Sequence, residues 1–199
     1  MLEEKKEKFK LVSEKIGIFF AKFKLHPNFY SLISIFFGFF CFLSLFKNNL
    51  ILAILFFLLA SFLDFIDGAV ARVSRKVTKL GAYLDTICDR YVEAMVFFGF
   101  LFLSLPKIFL PAKFWIFLSL FGSLMTTYSK SAAKEKEISK EELKKGLFER
   151  PERMILIFLA MIFAIFNLSF TVYTLIIFTI LANFTAFQRI YFTFKLAKD

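Results

Sequence analysis

Histidine is nearly missing from this sequence: 199 residues contain one, His26, alone beside an apolar stretch and read as an interfacial residue. Cysteine is almost as scarce. Cys41 and Cys88 sit in or beside apolar runs without metal-ligand spacing, so neither a disulfide framework nor a zinc site is expected. No internal repeat or low-complexity linker interrupts the chain, which predicts one domain over residues 1–199. The N-terminal segment lacks a small-residue cleavage site, so a removable signal peptide is not expected. Acidic residues are outnumbered, 16 Asp and Glu against 26 Lys and Arg, for a formal net charge of +10.

What fills the sequence instead is apolar. At 59% hydrophobic and 20% aromatic, with mean hydropathy +0.70, it excludes an ordinary soluble domain. A spanning helix needs roughly 20 mostly apolar residues, and such blocks fall at about 28–46, 50–67, 82–105, 112–133, 150–166 and 170–189. The expected fold class is therefore all-α integral membrane, with six transmembrane helices in residues 26–199. Residues 1–25 mix Lys and Glu with apolar positions at helical spacing, as an N-terminal interfacial juxtamembrane helix does.

Basic residues collect in the N-terminal segment, in 72–79, in 130–153 and after Arg189, while the opposite loops hold only Lys47, Lys107 and Lys113. The positive-inside rule then puts both termini on the cytoplasmic side of the cell membrane. Because these charges adjoin membrane segments, the partner they predict is anionic lipid headgroups and not nucleic acid.

With that orientation the second span runs inward to Asp64 and Asp67, and the third starts near Asp85 and Asp89, so four carboxylates meet at the cytoplasmic face. Residues three or four apart share a helix face, which pairs Asp64 with Asp67 and Asp85 with Asp89. Gly68 is expected to permit a tight backbone after the first pair. Crowded carboxylates repel unless cations intervene, and oxygen-only ligands suit Mg²⁺ or Mn²⁺ above zinc. The plainer alternative is that the aspartates solvate a loop and pair with Arg72, Arg75, Lys76, Lys79 and Arg90. Against it stands the spacing D-x2-D-G-x2-A-R-x8-G-x3-D-x3-D, met at all eight positions: Asp64, Asp67, Gly68, Ala71, Arg72, Gly81, Asp85 and Asp89.

This stretch resembles the signature of the CDP-alcohol phosphotransferases, membrane enzymes of phospholipid synthesis. The resemblance implies transfer of a phosphatidyl-type group from a CDP-linked lipid to an acceptor hydroxyl with release of CMP, in a homodimer with a divalent-metal site in each protomer. It implies that Asp64, Asp67 and Asp85 hold the metals, and that Asp89 completes the metal site and acts as general base. It also points to Asn28, Ser31, Asp64, Gly68, Arg72 and Thr78 for the CDP-lipid. The chemistry agrees. A pyrophosphate under attack gains charge that two metals and Arg72 can neutralise, and the acceptor hydroxyl needs a base within reach.

For the acceptor, helix polarity brings Lys130, Arg150, Arg153 and Arg189 to the same inner face, where arginine forks suit a phosphate. They also fit snorkelling residues, or partners of Glu149 and Glu152. YSKSAAKE, GLFERPERMI and TAFQR look like the YxKAxAE, GxxERPER and TxxQR patterns of the inositol-phosphate branch, which implies inositol 1-phosphate as acceptor and CDP-archaeol or CDP-diacylglycerol as donor. Departures are Ser131 and Ala132 in place of KA, and a Lys/Glu-rich insert at 134–145. Glu93, one turn beyond Asp89, is expected to orient Arg90 or a substrate hydroxyl, or to pair within the bundle. Glycerol 3-phosphate, serine and free inositol remain alternative acceptors. A cation transporter would place its carboxylates near mid-membrane, usually with repeats, and a non-catalytic subunit would be expected to have lost a motif residue.

Overall fold

The computed structural model describes residues 2–138 and 146–197, with side chains from Leu11 onward; the expected insert lies outside the described residues from position 139. Among the described residues the regular structure is helical: α1 (Leu2–Ala21), α2 (Pro27–Phe46), α3 (Leu50–Val73), α4 (Lys79–Phe100), α5 (Ala112–Glu135), α6 (Arg150–Phe166) and α7 (Leu168–Leu196). Each expected segment is matched by a helix, with displaced ends. The displacement that bears on the site is in α3, which continues six residues past Asp67 because Gly68 keeps a helical backbone and imposes no break.

Three helices, α2, α3 and α7, are long and apolar enough to cross a membrane. The others fall short for identifiable reasons. α4 carries Asp85, Asp89, Arg90 and Glu93. α5 is diluted by Ser119, Ser123, Thr126 and Thr127. α6 has only 17 residues.

The chain divides into two compact units: one runs up to Ser44 and resumes over Ile51–Val96, and the other holds Leu45–Leu50 and the chain from Phe97 onward. In the first, α1 packs on α3 and α2 around Tyr30, Ile66 and Val70, with Ile16, Phe20, Ala21 and Leu63 against them. The Tyr30 hydroxyl donates to the Phe20 carbonyl at 3.2 Å, and the two rings meet edge to face. His26 Nδ1 accepts the Asn28 N–H at 3.3 Å, so the lone histidine occupies a free donor at the start of α2.

In the second unit α7 packs against both α5 and α6. Lipid tails are as apolar as leucine, so close-packed small residues and hydrogen bonds must hold such helices together. Ser119 Oγ lies 2.8 Å from Thr179 Oγ1, Thr179 Oγ1 donates to the Trp115 carbonyl at 3.1 Å, and Asn183 Nδ2 donates to the Leu118 carbonyl at 3.1 Å. Thr126 Oγ1 donates to the Ala182 carbonyl at 3.1 Å. The polar residues that lower the hydropathy of α5 are thus partly satisfied on α7.

Candidate active site

Within the first unit, the N-terminus of α2, the last turns of α3 and the N-terminus of α4 border an open cleft. Asn28, Ser31, Asp67, Gly68, Arg72, Lys76, Thr78, Gly81 and Asp85 line it. The end of α3 is closed by paired hydrogen bonds, Lys76 N–H to the Ala71 carbonyl at 3.0 Å and Arg75 N–H to the Arg72 carbonyl at 3.3 Å. That motif places one residue in the left-handed region, usually glycine. Here it is Arg75, at φ 53°, at a cost of about 1 kcal/mol. The turn delivers Lys76 to the cleft.

Gly68 has a different part from the one its sequence position suggests. A Cβ there would lie 3.2 Å from Arg72 Nη1. The missing side chain leaves room for the guanidinium, one turn on, to fold back along the helix. At the opposite wall Thr78 Oγ1 accepts the Gly81 N–H at 2.9 Å, capping α4 at its first turn. Thr78 therefore aims the N-terminus of α4, where backbone donors favour anions, into the cleft. A Cβ on Gly81 would meet Asn28 Oδ1 at 3.1 Å, so this glycine lets α4 approach the start of α2.

Three carboxylates converge: one oxygen each from Asp64, Asp67 and Asp85 lies within 4.8 Å of the others. Asp64 and Asp67 come from one face of α3, and Asp85 from the second turn of α4. Ser31 donates its hydroxyl to Asp67 Oδ2, which orients a buried carboxylate. An all-oxygen, like-charged donor set of this span suits a hard divalent cation. Asp89 lies one turn farther along α4, buried and outside that group of three. Arg90 Nη2 is 3.8 Å from Asp89 Oδ2, and Arg90 Nη1 is 3.3 Å from the buried Glu93 carboxylate. Glu93 thus orients Arg90, one of the parts expected of it.

The four basic residues read as acceptor ligands belong to the second unit. Lys130 on α5 and Arg150, which opens α6, are half-buried; Arg153 on α6 and Arg189 on α7 are buried. Arg189 donates through Nη1 to the Thr126 carbonyl and through Nη2 to both oxygens of Glu149. Phe148 N–H donates to Thr185 Oγ1 at 3.2 Å, so the entry to α6 is fastened to α7 at two points.

Two residues of the first unit were not singled out as site residues by the sequence. Lys76 reads as a loop charge, and only the turn at Arg75 brings it to the cleft. Ser13, on α1, is buried and accepts a hydrogen bond from Arg72 Nη2 at 2.9 Å. Its one available signal is the i, i+4 spacing of three small residues, Ser13, Gly17 and Ala21, along α1.

Three convergent carboxylates, an arginine and a helix N-terminus around one cleft make a site suited to a divalent cation and a phosphate-bearing substrate. The chain belongs to the CDP-alcohol phosphatidyltransferase family, which matches residues 24–187. It is 33% identical over 193 residues to archaetidylinositol phosphate synthase of Pyrococcus horikoshii, covering 96% of this chain and 95% of that protein. Its fold is similar to that of phosphatidylinositol phosphate synthase of Mycobacterium tuberculosis with CDP-DAG bound, at a TM-score of 0.77 and 22% identity over 92% of this chain and 93% of that one. The same mycobacterial protein in complex with manganese and citrate matches at a TM-score of 0.78 and 22% identity, over 92% and 88% of the two chains. The chain is a multi-pass membrane enzyme of that family.

Proposed function

We propose that this enzyme transfers a phosphatidyl-type group from a CDP-linked lipid to a hydroxyl of inositol 1-phosphate. The product is an inositol phospholipid that keeps the acceptor's phosphate, and CMP leaves. The observation that carries the transfer is the convergence of Asp64, Asp67 and Asp85 beside Gly68 and Arg72. The acceptor, and CDP-archaeol as donor in preference to CDP-diacylglycerol, are supported by the likeness to archaetidylinositol phosphate synthase along nearly the whole chain.

The acceptor oxygen forms its bond to the lipid-side phosphorus as the pyrophosphate P–O bond breaks and CMP departs. Asp64, Asp67 and Asp85, with Asp89 completing the site, would hold Mg²⁺ or Mn²⁺, read as two ions, which would supply positive charge against the negative charge that builds on the phosphate oxygens. Ser31 holds Asp67 in place for that task. Arg72 and the N-terminus of α4 take the donor's diphosphate, with Asn28, Ser31, Gly68 and Thr78 around the CDP-lipid. Asp89 takes the proton from the acceptor hydroxyl. Lys130, Arg150, Arg153 and Arg189 hold the acceptor's phosphate, suited to it by the forks of the three arginines and the charge of the lysine.

We read α2–α7 as six spans of one domain with both termini and the site on the cytoplasmic side, α1 as an interfacial helix, and the enzyme as a homodimer. The family match runs through both compact units, which supports one domain. Exposed Leu11, Val12, Ile18 and Phe19 beside Glu14 and Lys15, with Lys22 and Phe23 just after the helix, give α1 the mixed surface that a headgroup layer accepts. The experiment is an acceptor panel with purified enzyme, CDP-archaeol and Mg²⁺ or Mn²⁺, following CMP release. Inositol 1-phosphate is expected to support release far better than glycerol 3-phosphate, serine or free inositol. Preference for any of those three would overturn the acceptor.

A further inference from the structure

The arginine of the donor cleft is held by a residue outside the signature and on another helix. Arg72 Nη2 donates to Ser13 Oγ at 2.9 Å, and Ser13 is 5% exposed, closed in by the packing of α1. The contact depends on how closely α1 lies on α3. A Cβ on Gly17, one turn beyond Ser13, would stand 2.7 Å from the Ala69 carbonyl oxygen and 2.8 Å from Val73 Cγ2. The nearer of these is backbone, so any larger residue at 17 must lift α1 away. Gly68 clears the other side of the same guanidinium. Arg72 thus lies between a bare strip of its own helix and a hydroxyl supplied by α1.

We infer that Ser13 is a positioning residue for the CDP-lipid donor: by accepting from Arg72 it fixes the guanidinium at the cleft, and Gly17 seats α1 so that it can. The inference rests on the reading of Arg72 as a donor ligand. An unrestrained arginine on a helix end samples many rotamers, and binding a diphosphate must order it; Ser13 supplies that order beforehand. One guanidinium N–H is committed to Ser13, and others remain for phosphate oxygens. The arrangement also makes donor binding sensitive to α1, the element with an exposed apolar face.

The test is steady-state kinetics on the full-length enzyme in detergent with CDP-archaeol, varying donor and acceptor separately. Ser13→Ala is expected to raise the donor KM by up to about tenfold, the cost of ordering one rotamer-rich side chain on binding, with little change in acceptor KM or kcat. Ser13→Thr, which keeps the hydroxyl, is expected to restore the donor KM. Gly17→Ala is expected to reproduce the donor defect with Ser13 intact. In an Arg72→Ala background, Ser13→Ala should add nothing; a merely structural serine would add its own effect there. Ser13→Cys, nearly isosteric but a poor acceptor, covers the case in which alanine impairs folding, and its donor KM should rise likewise. A wild-type donor KM in folded Ser13→Ala or Ser13→Cys, with a raised one in Arg72→Ala, overturns this inference alone. A wild-type donor KM in Arg72→Ala overturns the donor role of Arg72 and the inference with it.

Discussion

Glu149, at the entry to α6, holds Arg189 of α7 through both carboxylate oxygens, at 2.6 and 2.7 Å from Nη2. The two ends of this pair are unequally covered: the Arg189 side chain is 4% exposed and that of Glu149 42%. Removing the carboxylate strands a buried cation, whereas removing the guanidinium leaves a carboxylate that can turn to water. Allowing for Glu149's exposure, Glu149→Ala is expected to cost about 2 kcal/mol, lowering Tm by about 4–8 °C. Arg189→Met, which keeps much of the stem, is expected to cost less. Thermal unfolding in detergent measures both, and an equal or reversed order would contradict the asymmetry.

The same arginine is proposed to serve the acceptor. Arg153→Ala or Arg189→Ala is expected to raise the acceptor KM or lower kcat/KM by roughly 10- to 150-fold, with the donor KM barely moved. Kinetics with each substrate varied in turn decides it. Loss of donor affinity with acceptor affinity intact would assign these arginines to the donor.

Three carboxylates with oxygens within 4.8 Å of one another are read as a cation site. Turnover is expected to stop in excess EDTA and to return with Mg²⁺ or Mn²⁺, and Asp64→Asn, Asp67→Asn and Asp85→Asn are each expected to abolish it in protein that still extracts folded. CMP release in EDTA at the untreated rate would refute metal dependence.

Asp89 stands outside that group of three, beside Arg90. Asp89→Asn is expected to remove turnover while retaining much of the CDP-lipid affinity, because its assigned task is the acceptor's proton. Equilibrium binding of the donor alongside single-turnover rates measures the split. Near-normal turnover would reject the base.

The aspartates were legible because the i, i+3 and i, i+4 rules act within a helix, and the order of spans then sets which helix ends share a side. The run of α3 beyond Asp67 was not: hydropathy marks where apolar residues stop, whereas the backbone stops at the turn around Arg75. The motif points to Thr78 as a substrate ligand, and Thr78 lines the cleft; that its hydroxyl also accepts the Gly81 N–H depends on where α4 begins. Ser13 is hard to read because its burial depends on α3's surface, and α1's own sequence carries only the spacing of its small residues. Glu149 and Glu152 were considered equally as partners of the arginines. Only folding selects Glu149 for Arg189, 40 residues away.

The central claim is tested most directly by the mass of the lipid product. Purified enzyme given CDP-archaeol, inositol 1-phosphate and Mg²⁺ or Mn²⁺ is expected to release CMP in step with a lipid that carries inositol and two phosphates, the donor's and the acceptor's. A lipid with a single phosphate, formed by hydrolysis of the donor or by use of free inositol, would contradict the account.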